Sequence, residues 1–372
     1  MDAAVAARGV KERSLLQEGK RLEPPKGAKS AGGKGFGGGG GAGGGSKADA
    51  KKLAKELSKS GVVRIDGVLS AELADRMREW VDEQRVDATA EVAAGVAQDS
   101  RFADLVLVSN RCDLLLPLRD CAVEAVNAML GKGSRLGPLF EELMGSKGVL
   151  NEIACLFSEP GSQQQPLHPD TPYQKTPPLY AVFVALQDVT IDMGPTVYLP
   201  GTHTQEAHKA FYGGSLDAGK QLFGVQGFEL NEDFISGRPV RLGLLKKGDC
   251  AVYNQCVLHC GSANNSPNLR RQFYISMRNP SVDVKARPSM RPALRGKLTL
   301  KAITKELKEL GGATTREGGL FAELDAEDKR ARRPYARTPL ENAACALARA
   351  PSATLSVRAH TAFPSAAAAA RR

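Results

Sequence analysis

His168-Pro169-Asp170, with His259 and Arg270 far downstream, are the residues whose types and spacing could do chemistry. Two imidazoles and one carboxylate can bind one face of a ferrous ion and leave the opposite face open. Iron oxygenation needs that open face, because co-substrate and dioxygen must both reach the metal. The His-x-Asp spacing fits a strand. Residues two apart point to the same side, so His168 and Asp170 can share a metal while Pro169 faces away. A proline there belongs at a strand end or edge, where a missing N–H is tolerated.

The far half of the set has its own pattern. Lys247-Gly248-Asp249 reads as a turn that opens the apolar run Cys250-Ala251-Val252-Tyr253, and the chain reaches His259 soon after. Residues 261–268 read as a loop, rich in Gly, Ser, Asn and Pro. From Arg270 to Met277 polar and apolar residues alternate like a strand. Arg270, Gln272, Tyr274 and Ser276 fall on one face, and Phe273, Ile275 and Met277 on the other. An arginine on the polar face beside a metal-binding strand suggests a wet cavity that binds an anion. A guanidinium is suited to gripping a carboxylate with two parallel hydrogen bonds.

On these residues the stretch from about Asn151 to Pro280 resembles the phytanoyl-CoA dioxygenase family of iron(II)/2-oxoglutarate oxygenases. The matching pieces are Leu167-His168-Pro169-Asp170, the segment 193–203 (MGPTVYLPGTH), Lys247-Gly248-Asp249, His259-Cys260-Gly261-Ser262 and Arg270. The family's distal histidine precedes its 2-oxoglutarate arginine by eleven positions, as 259 precedes 270 here. The segment 61–70 (GVVRIDGVLS) looks like the family's opening strand and helix start, so the likeness runs over roughly residues 60 to 290. The triplet alone is a weak signal, whereas the ordered set is a specific one.

The resemblance implies that His168, Asp170 and His259 hold Fe(II). It implies that Arg270 holds the distal carboxylate of 2-oxoglutarate, with Ser262 as a helper and Phe183 as an aromatic lining the co-substrate pocket. It also implies a dioxygenase that consumes O2 and 2-oxoglutarate and releases succinate and CO2 while hydroxylating a small organic substrate. Related halogenases carry a small residue where this chain has Asp170, so the carboxylate favours hydroxylation. Two other readings stay open. One is a metal-binding jelly roll without turnover. The other is a protein or nucleic-acid hydroxylase recruited by basic tails.

Plainer readings compete for some residues. A lone histidine is more often structural than a ligand, yet two of only five histidines fall at the required places. Arg270 stands beside Arg271, and only one of them can face the cavity. The Ser262 hydroxyl could simply cap its loop. His203 fits packing in the turn after Pro200-Gly201, and His208 fits a following short helix. Cys250, Cys256 and Cys260 lack paired C-x-x-C spacing, which argues against zinc. The run Gly32–Gly45 lacks the Gly-Lys-Ser/Thr ending of a phosphate loop and reads as a flexible linker.

With 372 residues, the chain can form one large β domain plus tails. Seven scattered cysteines suit reduced thiols inside a cell, and the expected location is intracellular and cytoplasmic. No apolar stretch is long enough to span a membrane. No secretory signal is evident, and the N-terminal acids count against a transit peptide. The net charge of +10 gathers at both ends, in residues 1–50 and 316–372. Those ends read as solvated, low-complexity tails without the interleaved aromatics of a nucleic-acid binder, so no nucleic-acid partner is expected.

Between them, residues 51–315 read as the oxygenase domain. Helices are expected over 47–59, from Ser70 to about Gln84, and over 118–131, 137–144 and 301–310. Strands are expected at 62–65, 149–158, 166–170, 179–189, 195–199, 240–244, 250–258 and 270–278. That order predicts a mainly β, α+β domain. Its core is a double-stranded β-helix, a cupin-like jelly roll, backed by N-terminal helices.

Overall fold

The computed structural model describes residues 15–17, 19–25, 45–103, 105, 109–214, 232–284 and 288–331. Its strands are β1 (Lys20–Arg21), β2 (Val62–Ile65), β3 (Phe102–Ala103), β4 (Arg111–Leu115), β5 (Val149–Ser158), β6 (Leu179–Ala185), β7 (Thr196–Tyr198), β8 (Arg241–Leu242), β9 (Cys250–Asn254), β10 (His259–Gly261) and β11 (Arg270–Arg278). They form a seven-stranded sheet in the order β2-β9-β6-β11-β5-β4-β3 and a four-stranded sheet in the order β1-β8-β7-β10. The ladders are antiparallel except β1–β8. The double-sheet core expected from sequence is present.

The larger sheet has two unlike faces. One bears Ile153, Cys155, Phe157, Val182, Val184, Cys250, Val252, Phe273, Ile275 and Met277, all in the main hydrophobic core. Helices cover it. The helix Ala71–Ala93 buries Leu73, Ala74, Met77, Trp80 and Val81, and Ser70 caps its start by accepting from Leu73 N. The helices Asp120–Leu130, Leu136–Met144 and Leu300–Leu310 add their apolar stripes to the same core. The opposite face looks toward the smaller sheet. There Tyr198 of β7 meets Tyr253 of β9, ring centroids 5.3 Å apart.

The helix Lys47–Ser60 ends on Gly61 at φ 77°, a conformation that favours glycine, before β2 begins. The Lys247-Gly248-Asp249 turn is structural. The Asp249 carboxylate accepts from Arg64 Nη2 (2.6 Å) and from Gly67 N (2.9 Å), locking β2 to the start of β9. Gly248 sits at φ +85°, and a Cβ there would lie 2.3 Å from the Leu69 carbonyl oxygen.

Three expectations need correction. Residues 166–170 form no continuous strand, only a single antiparallel bridge from His168 to His259. Pro166 and Pro169 flank that bridge and offer no N–H to extend a ladder. Residues 250–258 are not one strand either. The run breaks after Asn254, whose carbonyl accepts from Val257 N (2.8 Å) in a turn. That turn carries the chain from the larger sheet to the smaller, delivering His259 to the facing layer.

The third correction concerns the ends. Part of the stretch expected as N-terminal tail is strand β1, and Leu15 and Leu22 are buried. Within the expected C-terminal tail lies the helix Leu320–Ala331. Phe321, Leu324 and Asp328 share its inward stripe. The first two join the main core, and Asp328 pairs with the buried Arg291. The excess of basic residues hid that stripe. Residues 332–372 and the glycine-rich run 32–44 lie outside the described residues.

A check follows. Phe321 is 2% exposed. Phe321→Ala should lower the unfolding free energy by about 3–5 kcal/mol, the usual cost of removing a buried phenyl. Arg330→Ala should change it by less than about 0.5 kcal/mol, as surface substitutions do. Urea denaturation of both variants measures this. Equal, small effects would mean the helix is not part of the fold.

Candidate metal centre and anion pocket

The backbones of His168 and His259 exchange two hydrogen bonds, N to O and O to N, each 2.9 Å. Their rings lie side by side with centroids 4.7 Å apart. Each Nδ1 sits against a carbonyl: His168 Nδ1 is 2.6 Å from Pro166 O, and His259 Nδ1 is 2.9 Å from Val257 O. A carbonyl only accepts, so Nδ1 carries the proton and Nε2 presents a lone pair. Asp170 Oδ1 lies 3.4 Å from His259 Nε2 and 3.8 Å from His168 Nε2. Among the described residues this is the one group of three such side chains suited to a metal ion, with ligand atoms within 4.8 Å of one another.

The surroundings tune these groups. Tyr253 OH donates to the other oxygen of Asp170, Oδ2, at 2.9 Å. That bond leaves Oδ1 to face the two imidazoles. Burial disfavours charge on Asp170 and His259, but their attraction outweighs it. Asp170 is held below the ordinary carboxylate range, and His259 above the ordinary imidazole range. Burial, then the neighbouring His259, pushes His168 down to about 4, which keeps it neutral as a ligand must be. Side-chain exposures are 5% for His259, 12% for His168 and 30% for Asp170, so the triad opens to solvent on the Asp170 side.

The anion-binding expectation rests on the face of β11. Register places Arg270, Gln272, Tyr274 and Ser276 on the inner face, in rows with β5 and β4. Arg270 pairs with Ser158 of β5, which pairs with Arg111 of β4. Arg271 points the other way and binds Asp82 of the helix Ala71–Ala93 through two contacts of 2.7 Å. Arg270 is therefore the arginine that faces the space between the sheets. It is 1% exposed. Its Nη2 donates to Ser158 Oγ (3.0 Å), while Nε and Nη1 have no partner. Burial, then Arg111, lowers its affinity for its proton to about 9.

Ser262 is buried at 1%, and its Oγ has no partner. Its carbonyl accepts from Arg111 Nη2 (2.7 Å), and Arg111 Nη1 shares Ser158 Oγ (2.7 Å) with Arg270. Ser262 thus belongs to the same buried network as Arg270. Phe183 stands on β6 in line with Tyr274, edge-on to both Tyr253 and Tyr274 at 5.2 Å. It lies on the inner face of the larger sheet.

The other two described histidines, His203 and His208, are apart from the triad. His203 Nε2 is 3.0 Å from Ser58 O, and His208 Nε2 is 2.7 Å from Cys256 O. Both ring contacts are with backbone carbonyls, as packing roles require. Sequence reasoning missed Tyr253, Ser158 and Arg111. Counting by twos along 149–158 puts Ser158 on the same face as Glu152, the signal that could have found it. Strand β4, which carries Arg111, is short and gave no readable period.

A family model described as phytanoyl-CoA dioxygenase matches residues 57–272 of the 372. The chain belongs to the phytanoyl-CoA dioxygenase family. A phytanoyl-CoA dioxygenase domain-containing protein 1 homolog from Dictyostelium discoideum is 29% identical over 155 residues. That alignment spans 37% of this chain and 54% of the relative, about half its length. Among solved structures, AviO1 from Streptomyces viridochromogenes Tue57 aligns over 63% of this chain and 97% of its own, at 16% identity and a TM-score of 0.46. The non-heme alpha ketoglutarate dependent epimerase SnoN from nogalamycin biosynthesis aligns over 66% and 96%, at 17% identity and a TM-score of 0.41. No helix among the described residues of this family member is long and apolar enough to cross a membrane.

Metal titration tests the triad. His168→Ala or Asp170→Ala should abolish tight divalent-metal binding, because two ligands hold a facial site poorly. Tyr253→Phe should weaken it by about tenfold, the usual cost of removing a partner that orients a ligand. His203→Ala should leave it unchanged. Competition against a chromogenic chelator gives all four numbers. Tight binding in the Asp170 variant would refute the triad.

Proposed function

We propose that this chain is an iron(II)- and 2-oxoglutarate-dependent dioxygenase that hydroxylates a small organic substrate. In this reading His168, Asp170 and His259 hold the iron, Arg270 grips the distal carboxylate of 2-oxoglutarate, and Ser262 and Phe183 line the pocket. The observation that carries the reading is Arg270 itself. A guanidinium 1% exposed, with two nitrogens lacking any partner, is costly to bury without an anion. The adjacent Arg111 adds a second buried positive charge, and the Ser262 hydroxyl is an unfilled donor beside them. Family membership points to the same chemistry.

The residues fit the groups they would hold. Two imidazoles whose Nε2 atoms face one carboxylate oxygen suit a divalent iron, and a dicarboxylate suits Arg270. Bound iron with 2-oxoglutarate would supply oxidation of a substrate C–H bond by dioxygen, with succinate and CO2 released. The chain's residues supply position. The paired backbones of His168 and His259 fix both imidazoles. Tyr253 turns Asp170 so that one oxygen faces the metal. Ser158, between the two arginines, aims the Arg270 fork. Phe183, Tyr253 and Tyr274 wall one side of the space with rings. Asp170 fills the position a halide would need, which supports hydroxylation. A jelly roll without turnover would leave Arg270 with no counter-charge.

The two arginines separate the alternatives. A charge-assisted pair in a desolvated pocket contributes about 1.5–3 kcal/mol. Arg270→Ala should therefore raise the KM for 2-oxoglutarate at least about tenfold, about 1.4 kcal/mol, with iron binding retained. Arg271→Ala, whose side chain holds Asp82 on the far face, should do much less. Succinate release against 2-oxoglutarate concentration reads both. A silent Arg270→Ala would remove the clamp and the reading with it.

A further inference from the structure

The inner face of the larger sheet carries a second polar group whose charge is opposite to that of the arginine row. Asp113 of β4 and Gln272 of β11 lie in one cross-strand row, each paired with Leu156 of β5. Asp113 is 5% exposed and Gln272 3%. Asp113 Oδ2 accepts from Tyr274 OH (2.7 Å) and Ser289 Oγ (3.2 Å), while Oδ1 has no partner. Gln272 Oε1 has none either. Two buried acceptors on one face thus lack a donor, and an unmade bond at such a site costs about 1–3 kcal/mol.

A second carboxylate joins them. Glu152 Oε1 accepts from Ser289 N (3.4 Å), so Ser289 bridges the two acids. Glu152 Oε2 accepts from Gln255 Nε2 (2.9 Å). The carbonyl of Gln255 accepts from Asp170 N (2.9 Å), which ties the acid pair to the metal triad through one residue. Neither acid is ion-paired with a described residue. Burial pushes Asp113 up to about 7 and raises Glu152 as well. With Asp113 buried and Glu152 half-buried about Ser289, a cation bound between them would favour their charged forms. In the dioxygenase reading, 2-oxoglutarate is matched by the arginine row and the metal, which leaves these acids unmatched.

We infer that the substrate carries a cationic nitrogen, an ammonium or guanidinium, held by Asp113 and Glu152 with Gln272 as a further acceptor. This inference rests on the dioxygenase reading and assigns the substrate class of that same site. A cation anchored there would lie on the side of the site that Gln255 links to Asp170. The aromatic rings of Tyr274 and Phe183 flank the anchor and favour a cation over an alcohol.

Calorimetry on the full chain tests it without turnover. The protein is loaded with Mn(II) and 2-oxoglutarate under argon, so that the arginine pocket is filled. Hexylamine, agmatine, hexanol and hexanoate are then titrated into wild-type protein, Asp113→Asn and Glu152→Gln. The expected result is binding of the two cations only, weakened at least about tenfold in each variant, with 2-oxoglutarate binding retained. Binding of hexanol or hexanoate as tight as the amines would overturn the inference. Unchanged amine affinity in both variants would do so too, as would no amine binding at millimolar concentration. A second equivalent of Mn(II) lost in Asp113→Asn would replace the organic cation with a metal ion and also overturn it. Failure of 2-oxoglutarate to bind the wild-type protein is a separate result and counts against the dioxygenase reading instead.

Discussion

Two backbone hydrogen bonds between His168 and His259 hold the site together. They join an extended segment to β10, and with it two stretches of chain ninety-one positions apart, 168 to 259. Because the residues face each other across an antiparallel bridge, their side chains emerge on the same side. The carbonyls of Pro166 and Val257 then fix both rings at Nδ1. Tyr253 sets the third side chain, donating to Asp170 Oδ2. The break after Asn254 that moves the chain between sheets serves the same end, since a straight β9 would have left His259 in the wrong layer.

The second constraint is the division of charge on one face of the larger sheet. Its other face is a continuous apolar layer under helices, so the sheet is rigid and its inner residues have fixed places. On that inner side Arg111 and Arg270 form a cationic row about Ser158, and Asp113 and Glu152 form an anionic group about Ser289. Adjacent residues of opposite charge would normally pair. Here they are held apart, each tied to neutral hydroxyls and amides. Such a face is stabilised by what binds it. Burial already lowers Arg270 and raises Asp113, and an added partner of the right charge would relieve both.

Much of this was legible in the sequence. The alternation from Arg270 to Met277 put Arg270 on the polar face, the likeness in spacing selected it over Arg271, and Arg271 is found against Asp82 on the far face. The two-sheet core followed from strand order, and the start of the helix after Ser70 from capping chemistry. What was not legible depends on contacts between distant segments. Tyr253 reaches Asp170 only after the sheets close. Asp113 lies in a short strand whose partner, β5, starts thirty-four residues after β4 ends, 115 to 149. His-x-Asp spacing suggested a strand, but the prolines on either side permit only one bridge. The helix Leu320–Ala331 was concealed because local charge outweighed its two apolar anchors.

The central claim is that the triad and Arg270 act as one site, joining iron to 2-oxoglutarate. Anaerobic absorption spectroscopy addresses it directly, since chelation of Fe(II) by a 2-oxo acid gives a visible charge-transfer band. Wild-type protein with Fe(II) should develop the band on addition of 2-oxoglutarate, His259→Ala should not, and Arg270→Ala should need a higher concentration. A protein that binds Fe(II) tightly yet shows no band at any 2-oxoglutarate concentration would contradict the claim.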